Sequence, residues 1–258
     1  MMWMWPRNKS SIKWILIGTL LLLAIGLLLA LFLKPEKTSG NIPQFIQADF
    51  IDLDRIATIS KFRSNSGHDF SQGTGETCRS MKHYFNIAYS DESGRAWAAN
   101  NGVPPAPDGK NDIKIYSPVD GKIVTIQKEQ SVGEQIYIRP DSSPEYTIRL
   151  FHVYKQEGIK KGKKVKAGEQ IGVIGRYQNT DIAIQTGGGF KSNFISYFQA
   201  MPDSIFANYI ARGAKSREQF MITKEYRDAH PLECNGEQFD GNYDNHQTEE
   251  NFVFLSSE

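Results

Sequence analysis

The pattern of apolar and polar positions changes character three times along the chain. Residues 14–33 (WILIGTLLLLAIGLLLALFL) form one apolar run uninterrupted by charge. Between residues 56 and 186, short runs rich in Val, Ile, Tyr and Phe recur between turn signals. They predict strands at Lys114–Tyr116, Lys122–Gln127, Gln135–Arg139, Tyr146–Tyr154, Gln170–Gly175 and Asp181–Thr186. Turns are expected at Pro118–Gly121, Pro140–Pro144 and Lys166–Gly168, and the Pro and Gly of NNGVPPAPDGKN (100–111) exclude regular structure there. Beyond them, Gly187-Gly188-Gly189 reads as a linker. Asp203–Gly213 reads as a short helix with an acidic N-cap and a terminal glycine, and Ser216–Gln219 fits a capping box. The last stretch, 235–258, is polar and acidic and is expected to be loosely held.

At about 1.5 Å per residue, the run 14–33 reaches roughly 30 Å, the thickness of a bilayer core. Arg7, Lys9 and Lys13 precede it with no acid, whereas Lys34, Glu36 and Lys37 nearly balance after it. This asymmetry predicts an inside N-terminus and a translocated bulk. The alternative is a cleaved signal peptide, but this run is longer than the usual apolar region and ends Leu-Phe-Leu-Lys-Pro without a small-residue cleavage site. The expected organisation is a cytoplasmic N-terminus (1–13), a single transmembrane helix (14–33) and a tether (34–55). A β domain (56–186), a helical extension (187–234) and a polar tail (235–258) follow, with the bulk periplasmic or extracellular.

Charge and cysteine content refine this picture. Past the apolar run, 27 basic residues face 29 acidic ones, so no basic field favours nucleic acid. Lys160-Lys161-Gly162-Lys163-Lys164 is a local exception, to be read as a solvated hairpin or as a contact for an anionic polymer. The two cysteines, Cys78 and Cys234, suit a disulfide in an oxidising compartment, with two separate buried thiols as the alternative. Two cysteines exclude a cysteine-rich metal cluster. Cys78 and His83 lack any further cysteine-hydrolase signature, and no Gly-x-Ser-x-Gly elbow is present.

Three segments, in order, carry a resemblance: NSGHDF (65–70), YSPVDGKIVTI (116–126) and YTIRLFHVYKQEGIKKGKKVKAGEQIGVIG (146–175). Together they resemble the lysostaphin-type (LytM-like) zinc metallopeptidases, over roughly residues 60–186. The resemblance implies a mainly β, twisted β-sandwich fold, a cell-envelope setting, and peptidoglycan or an envelope protein as partner. It also implies a zinc site built from a His and an Asp four apart and the second His of a His-x-His pair. Alternate residues of a strand face one side, so such pairs converge on one metal and leave a position for an activated water.

Carried over residue by residue, that set is degenerate. The first ligand position is Asn65 and the second Asp69. The His-x-His pair falls on Asp181-Ile182-Ala183, and the assisting histidine of the earlier strand is His152. An alanine cannot ligate. If residues 65–69 form a strand, His68 faces away from Asn65 and Asp69. It then replaces a lost ligand only through a bulge or turn, or as part of a set drawn from His68, His83, His152, Asp69 and Asp181. The cofactor is therefore none or zinc. The implied function is a non-catalytic binding or regulatory module anchored in the membrane. One alternative is a metalloendopeptidase with a modified site, in which His152 and Asp181 are catalytic. The other is a structural envelope protein whose polar cluster only stabilises the fold.

Overall fold

The structure is a computed structural model that describes residues 42–130, 132–188, 191–240 and 247–256. The apolar run 14–33 lies outside the described residues. Among the described residues no helix is long and apolar enough to cross a membrane. In chain order the strands are β1 (Ile56–Ser60), β2 (His83–Ile87), β3 (Ile113–Tyr116), β4 (Gly121–Lys128), β5 (Glu134–Pro140), β6 (Tyr146–Lys155), β7 (Lys164–Val165), β8 (Gln170–Ile174), β9 (Thr180–Gly188), β10 (Lys191–Ile195), β11 (Cys234–Asn235), β12 (Gln238–Phe239) and β13 (Phe252–Phe254). Helices Asp91–Ala99, Asp203–Ala211 and Lys224–Ala229 flank them.

The main sheet runs β13-β1-β2-β9-β6-β5-β4-β7, with β10 paired to β9 and β8 joining β3 to β6. All its strand pairs are antiparallel. Period-two alternation fixes the two faces. Ile136, Ile138, Ile148, Leu150, Ile182 and Ile184 are fully buried on one face, and each such side chain contributes about 1.5–3 kcal/mol of burial. Their neighbours Asp181, Ala183, Arg149, Tyr137, Arg139 and Lys122 lie on the other face, set by the registers Leu150↔Ile182, Ile136↔Leu150 and Ile123↔Ile138. The mainly β architecture matches the LytM-like expectation, and each of the six predicted strands forms within two residues of its expected ends.

Elsewhere tertiary packing overrides the sequence reading. The tether ends earlier than residue 55, because Phe45, Ile46, Phe50 and Ile51 are buried in the body of the domain. Residues 43–258 group as one unit, so the helical segment is no separate extension. Its helix Asp203–Ala211 forms as expected, with Pro202 rather than Asp203 at the N-cap. Phe198 stacks on Phe220 at 3.8 Å and meets Tyr209 at 5.1 Å, sealing these segments into the core. That burial of Phe220 leaves only a three-residue 3-10 turn, Glu218–Phe220, where a capped helix was expected, and no side chain caps it. Of the expected three-glycine linker, Gly187 and Gly188 instead belong to β9 and pair with Ser192 and Lys191 of β10, and Gly189 lies outside the described residues. Nor is the whole tail loose. Phe252, Val253 and Leu255 are buried, and β13 closes the edge of β1. Cys78 and Cys234 form the disulfide, with Cα atoms 5.7 Å apart.

Candidate functional site

The site grows from a defect in β6. Ile136 of β5 opposes Leu150, but Glu134 opposes Val153, so β6 carries one extra residue at Phe151–His152. The bulge places His152 in the left-handed region at φ 62°, a conformation that costs a non-glycine residue about 1–3 kcal/mol. Side chains satisfy the backbone groups that the ladder abandons. The His152 N–H donates to Glu129 Oε2 at 2.7 Å, Gln178 Nε2 donates to the His152 carbonyl at 2.6 Å, and Thr180 Oγ1 donates to the Phe151 carbonyl at 2.6 Å. Gly133 permits the approach: a Cβ there would stand 2.6 Å from the His152 carbonyl carbon.

The bulge turns the imidazole between two carboxylates. His152 Nδ1 lies 2.8 Å from Glu129 Oε2, and Nε2 lies 3.0 Å from Asp181 Oδ1. Asp181 has no exposed surface, and its Oδ2 is 2.5 Å from the Nζ of Lys82, which is also buried. Neither Asp181 oxygen makes an aligned hydrogen bond, so these are close ion pairs. The row Glu129–His152–Asp181–Lys82 alternates in charge and sums to zero. Burial opposes the charge on His152, but Asp181 and then Glu129 outweigh it and lift the imidazolium to about 10. Burial likewise opposes the charges of Asp181 and Lys82. Lys82 and His152 nevertheless hold the carboxyl well below its usual range, and Asp181 holds the ammonium above its own.

Around the ammonium stand the rings of Phe151, Phe70 and Tyr84, with Nζ 4.3, 4.7 and 4.9 Å from their centroids. His68 Nε2 is 3.2 Å from the same Nζ, and its Nδ1 lies 3.1 Å from the Asp69 carbonyl. An ammonium can only donate, so Nε2 accepts and Nδ1 carries the proton. Burial, then the Lys82 charge, lowers the pKa of His68, consistent with a neutral ring.

The residues singled out in the sequence separate into two groups. His152, Asp181 and His68 meet around Lys82. Asn65 and Asp69 do not lie on a strand: residues 65–68 bend, with Gly67 at φ 71°, so the condition under which His68 would face away from them is not met. The Asp69 Oδ1 accepts from Ser71 N, Ser71 Oγ and Arg79 N at 3.0, 2.6 and 3.0 Å, which ties it into a turn. Asn65 is buried beside Asn251, whose Oδ1 accepts its N–H at 3.3 Å. His83 sits elsewhere in the core, between the Ser60 carbonyl and Ser196 Oγ at 2.8 Å each, and burial lowers it to about 4. Ala183 lies opposite Arg149.

Lys82 and Glu129 lie outside the set of residues that the sequence motifs point to. A signal for Lys82 exists: Lys82 and Asn86 are four apart, and strand alternation puts them on one face beside β9, since Tyr84 pairs with Asp181. That is the placement the resemblance asks of its His/Asp pair. Asn86 lines a cleft of about 300 Å³ together with Tyr84, Tyr89, Trp97, His152 and Asp181. Glu129 has no signal; only the bulge brings it to His152.

This donor set does not fit zinc. Zinc needs deprotonated or neutral lone-pair donors, but an ammonium fills the space that Asp181 and His68 face, and residue 183 offers a methyl group. Among the described residues no group of three His, Cys, Asp or Glu side chains could hold a metal ion.

Residues 100–187 match Peptidase family M23. No curated protein matches the chain. Among solved structures, Csd3 of Helicobacter pylori aligns at 16% identity, covering 82% of this chain and 47% of that one, with a TM-score of 0.40. A chain of the SpoIIQ–SpoIIIAH pore-forming complex aligns at 12% identity, covering 67% and 99%, with a TM-score of 0.38. Lysostaphin aligns at 15% identity, covering 58% and 50%, with a TM-score of 0.33. This chain thus spans about half the length of Csd3 and of lysostaphin.

Proposed function

We propose that this chain, whose residues 100–187 carry a peptidase family M23 domain, is a non-catalytic binding or regulatory module of the cell envelope. The observation that carries the reading is the Lys82 ammonium, buried against Asp181 where the resemblance would put metal chemistry. It removes two requirements of hydrolysis together. No open coordination position faces Asp181, and neither candidate proton carrier is matched to neutral pH. A general base works best with a pKa near the working pH. Asp181 is held far below that range, and His152, lifted to about 10, has no lone pair to accept a proton at pH 7.

What remains is a cleft able to hold a peptide without cutting it. Tyr89 and Trp97 stack edge to face at 5.9 Å on its rim, and Asn179 Nδ2 donates to Tyr89 Oη at 3.1 Å. Aromatic faces with a few fixed amides suit a wall peptide or a segment of an envelope protein. The apolar run 14–33 would anchor the module in the cytoplasmic membrane with its bulk outside.

The test is incubation of the full chain with purified cell-wall peptides, reading bound fraction and new amino termini by mass spectrometry. Retention without new termini is expected. Cleavage that disappears in Asp181→Asn would overturn the reading.

A further inference from the structure

The four-charge centre leaves a second set of charges on the same sheet face unexplained. Lys122 of β4 is the direct cross-strand partner of Lys164 on one side and Arg139 on the other. All three are exposed. At about 4.8 Å between strands, three cations stand within roughly 10 Å, and like charges directly opposite each other destabilise a sheet. None of the three forms an ion pair among the described residues, nor do Lys160 and Lys161 of the adjoining hairpin. Their neighbours Lys163 and Lys166 do, with Glu169 at 2.7 Å and Asp120 at 2.9 Å. Acids are thus available on these turns, but none neutralises the row.

The row also borders a hollow. Lys122, Arg139 and Lys161 line a depression of about 350 Å³ with Val124 and Pro144, in which Asp141 is the one acid. Toward the cleft the same face continues with Arg149, which pairs with Tyr137 and with Ala183. Its guanidinium lies 4.9 Å from the ring centres of Phe70 and Tyr137 and 5.1 Å from that of Phe151. The Arg149 Nε is buried without a hydrogen-bond partner.

We propose that this face binds a linear polyanion, a carboxylate- or phosphate-bearing chain laid across the strands from Lys164 through Lys122 to Arg139 and on toward Arg149. A row that crosses three adjacent strands and runs on past the hollow, with Lys164 outside it, fits a chain polymer rather than a small ion. The acids that outnumber bases over the rest of the exported segment argue against nucleic acid, which answers to a broad basic field. A recess with walls fits a strand better than a flat lipid surface. The row does not touch Asp181 or Lys82, so its test is independent of whether the neighbouring centre hydrolyses anything.

The experiment measures binding of labelled polygalacturonate and of long-chain polyphosphate to the full chain, held in neutral detergent, across a salt series. Lys122→Gln/Arg139→Gln/Lys164→Gln is compared with a control triple at exposed lysines elsewhere, Lys110→Gln/Lys114→Gln/Lys215→Gln. The row triple is expected to lose about 30-fold in affinity for at least one polymer, and its log–log salt slope to fall by roughly two units. The control is expected to stay within about threefold. Which polymer responds identifies the charge chemistry. Because the row triple removes opposed like charges, it should melt no lower than the parent, and Arg139→Gln alone serves as the reading if it does. Equal losses in both triples, or no loss in the row triple, would overturn the proposal. So would retention on phosphatidylglycerol vesicles or single-stranded DNA by a chain that binds neither polymer.

Discussion

Replacing Lys82 with Met removes one charge from the buried centre and leaves its shape nearly unchanged. Asp181, which has no exposed surface, then keeps His152 as its one ion-pair partner among the described residues. Breaking a buried pair by deleting one partner costs about 3–5 kcal/mol, because the other charge stays buried and uncompensated. For a domain of this size that lowers the melting temperature by roughly 10 °C. The rings of Phe70, Tyr84 and Phe151 around the position suit a thioether, so packing losses should be small. Adding Asp181→Asn to Lys82→Met removes the stranded charge and keeps a polar neighbour for His152. The double variant should therefore be more stable than Lys82→Met alone, with a coupling of at least about 2 kcal/mol. Thermal and urea unfolding of the four proteins, followed by circular dichroism, measures this. A single-variant loss below about 1 kcal/mol, or simple additivity, would refute the reasoning that the pair is a buried, mutually dependent unit.

Other consequences follow from the same geometry. The folded pKa of His152 is raised to about 10, so its contribution is complete below the unfolded value of about 6.5 and is lost as pH rises toward 10. Asp181 is lowered, so its contribution is present above its ordinary 3.8 and is lost as pH falls below it. Melting temperature should therefore be highest between about pH 4 and 6.5, with the acid slope weakened in Asp181→Asn. Because His152 sits at φ 62°, His152→Gly should be more stable than His152→Ala by about 1 kcal/mol in urea unfolding. Gly133→Ala, whose Cβ would collide with the His152 carbonyl carbon, should cost more than about 2 kcal/mol and broaden the histidine NMR signals. Reducing the Cys78–Cys234 bond, which spans 156 positions, should lower stability by about 4–5 kcal/mol on the chain-entropy view; unchanged unfolding under reductant would count against it.

The strands of the central block were legible because half-buried antiparallel strands alternate their side chains, and Asp-Gly and Pro-rich turns mark their ends. Ala183 was legible for a simpler reason: a methyl group excludes ligation wherever it lies. What escaped was set by contacts distant in sequence. Phe252–Leu255 look like a short apolar run in a polar tail until β1 offers it an edge. Phe45 and Phe50 look like linker residues until the core covers them. At the site, reading Asn65 to Asp69 as a strand hid the pair that does face β9, beginning at Lys82. No periodicity announces a bulge, so the link between His152 and Glu129 could be read only from the folded chain.

The claim that an ammonium has displaced metal chemistry is tested most directly by metal stoichiometry. The full chain and Asp181→Asn would be exposed to excess zinc, desalted, and assayed for metal by mass spectrometry. The geometry predicts well under one zinc per chain, equal in both proteins. One zinc per parent chain, absent from Asp181→Asn, would mean that Lys82 yields its place to a metal, and the non-catalytic reading would fall.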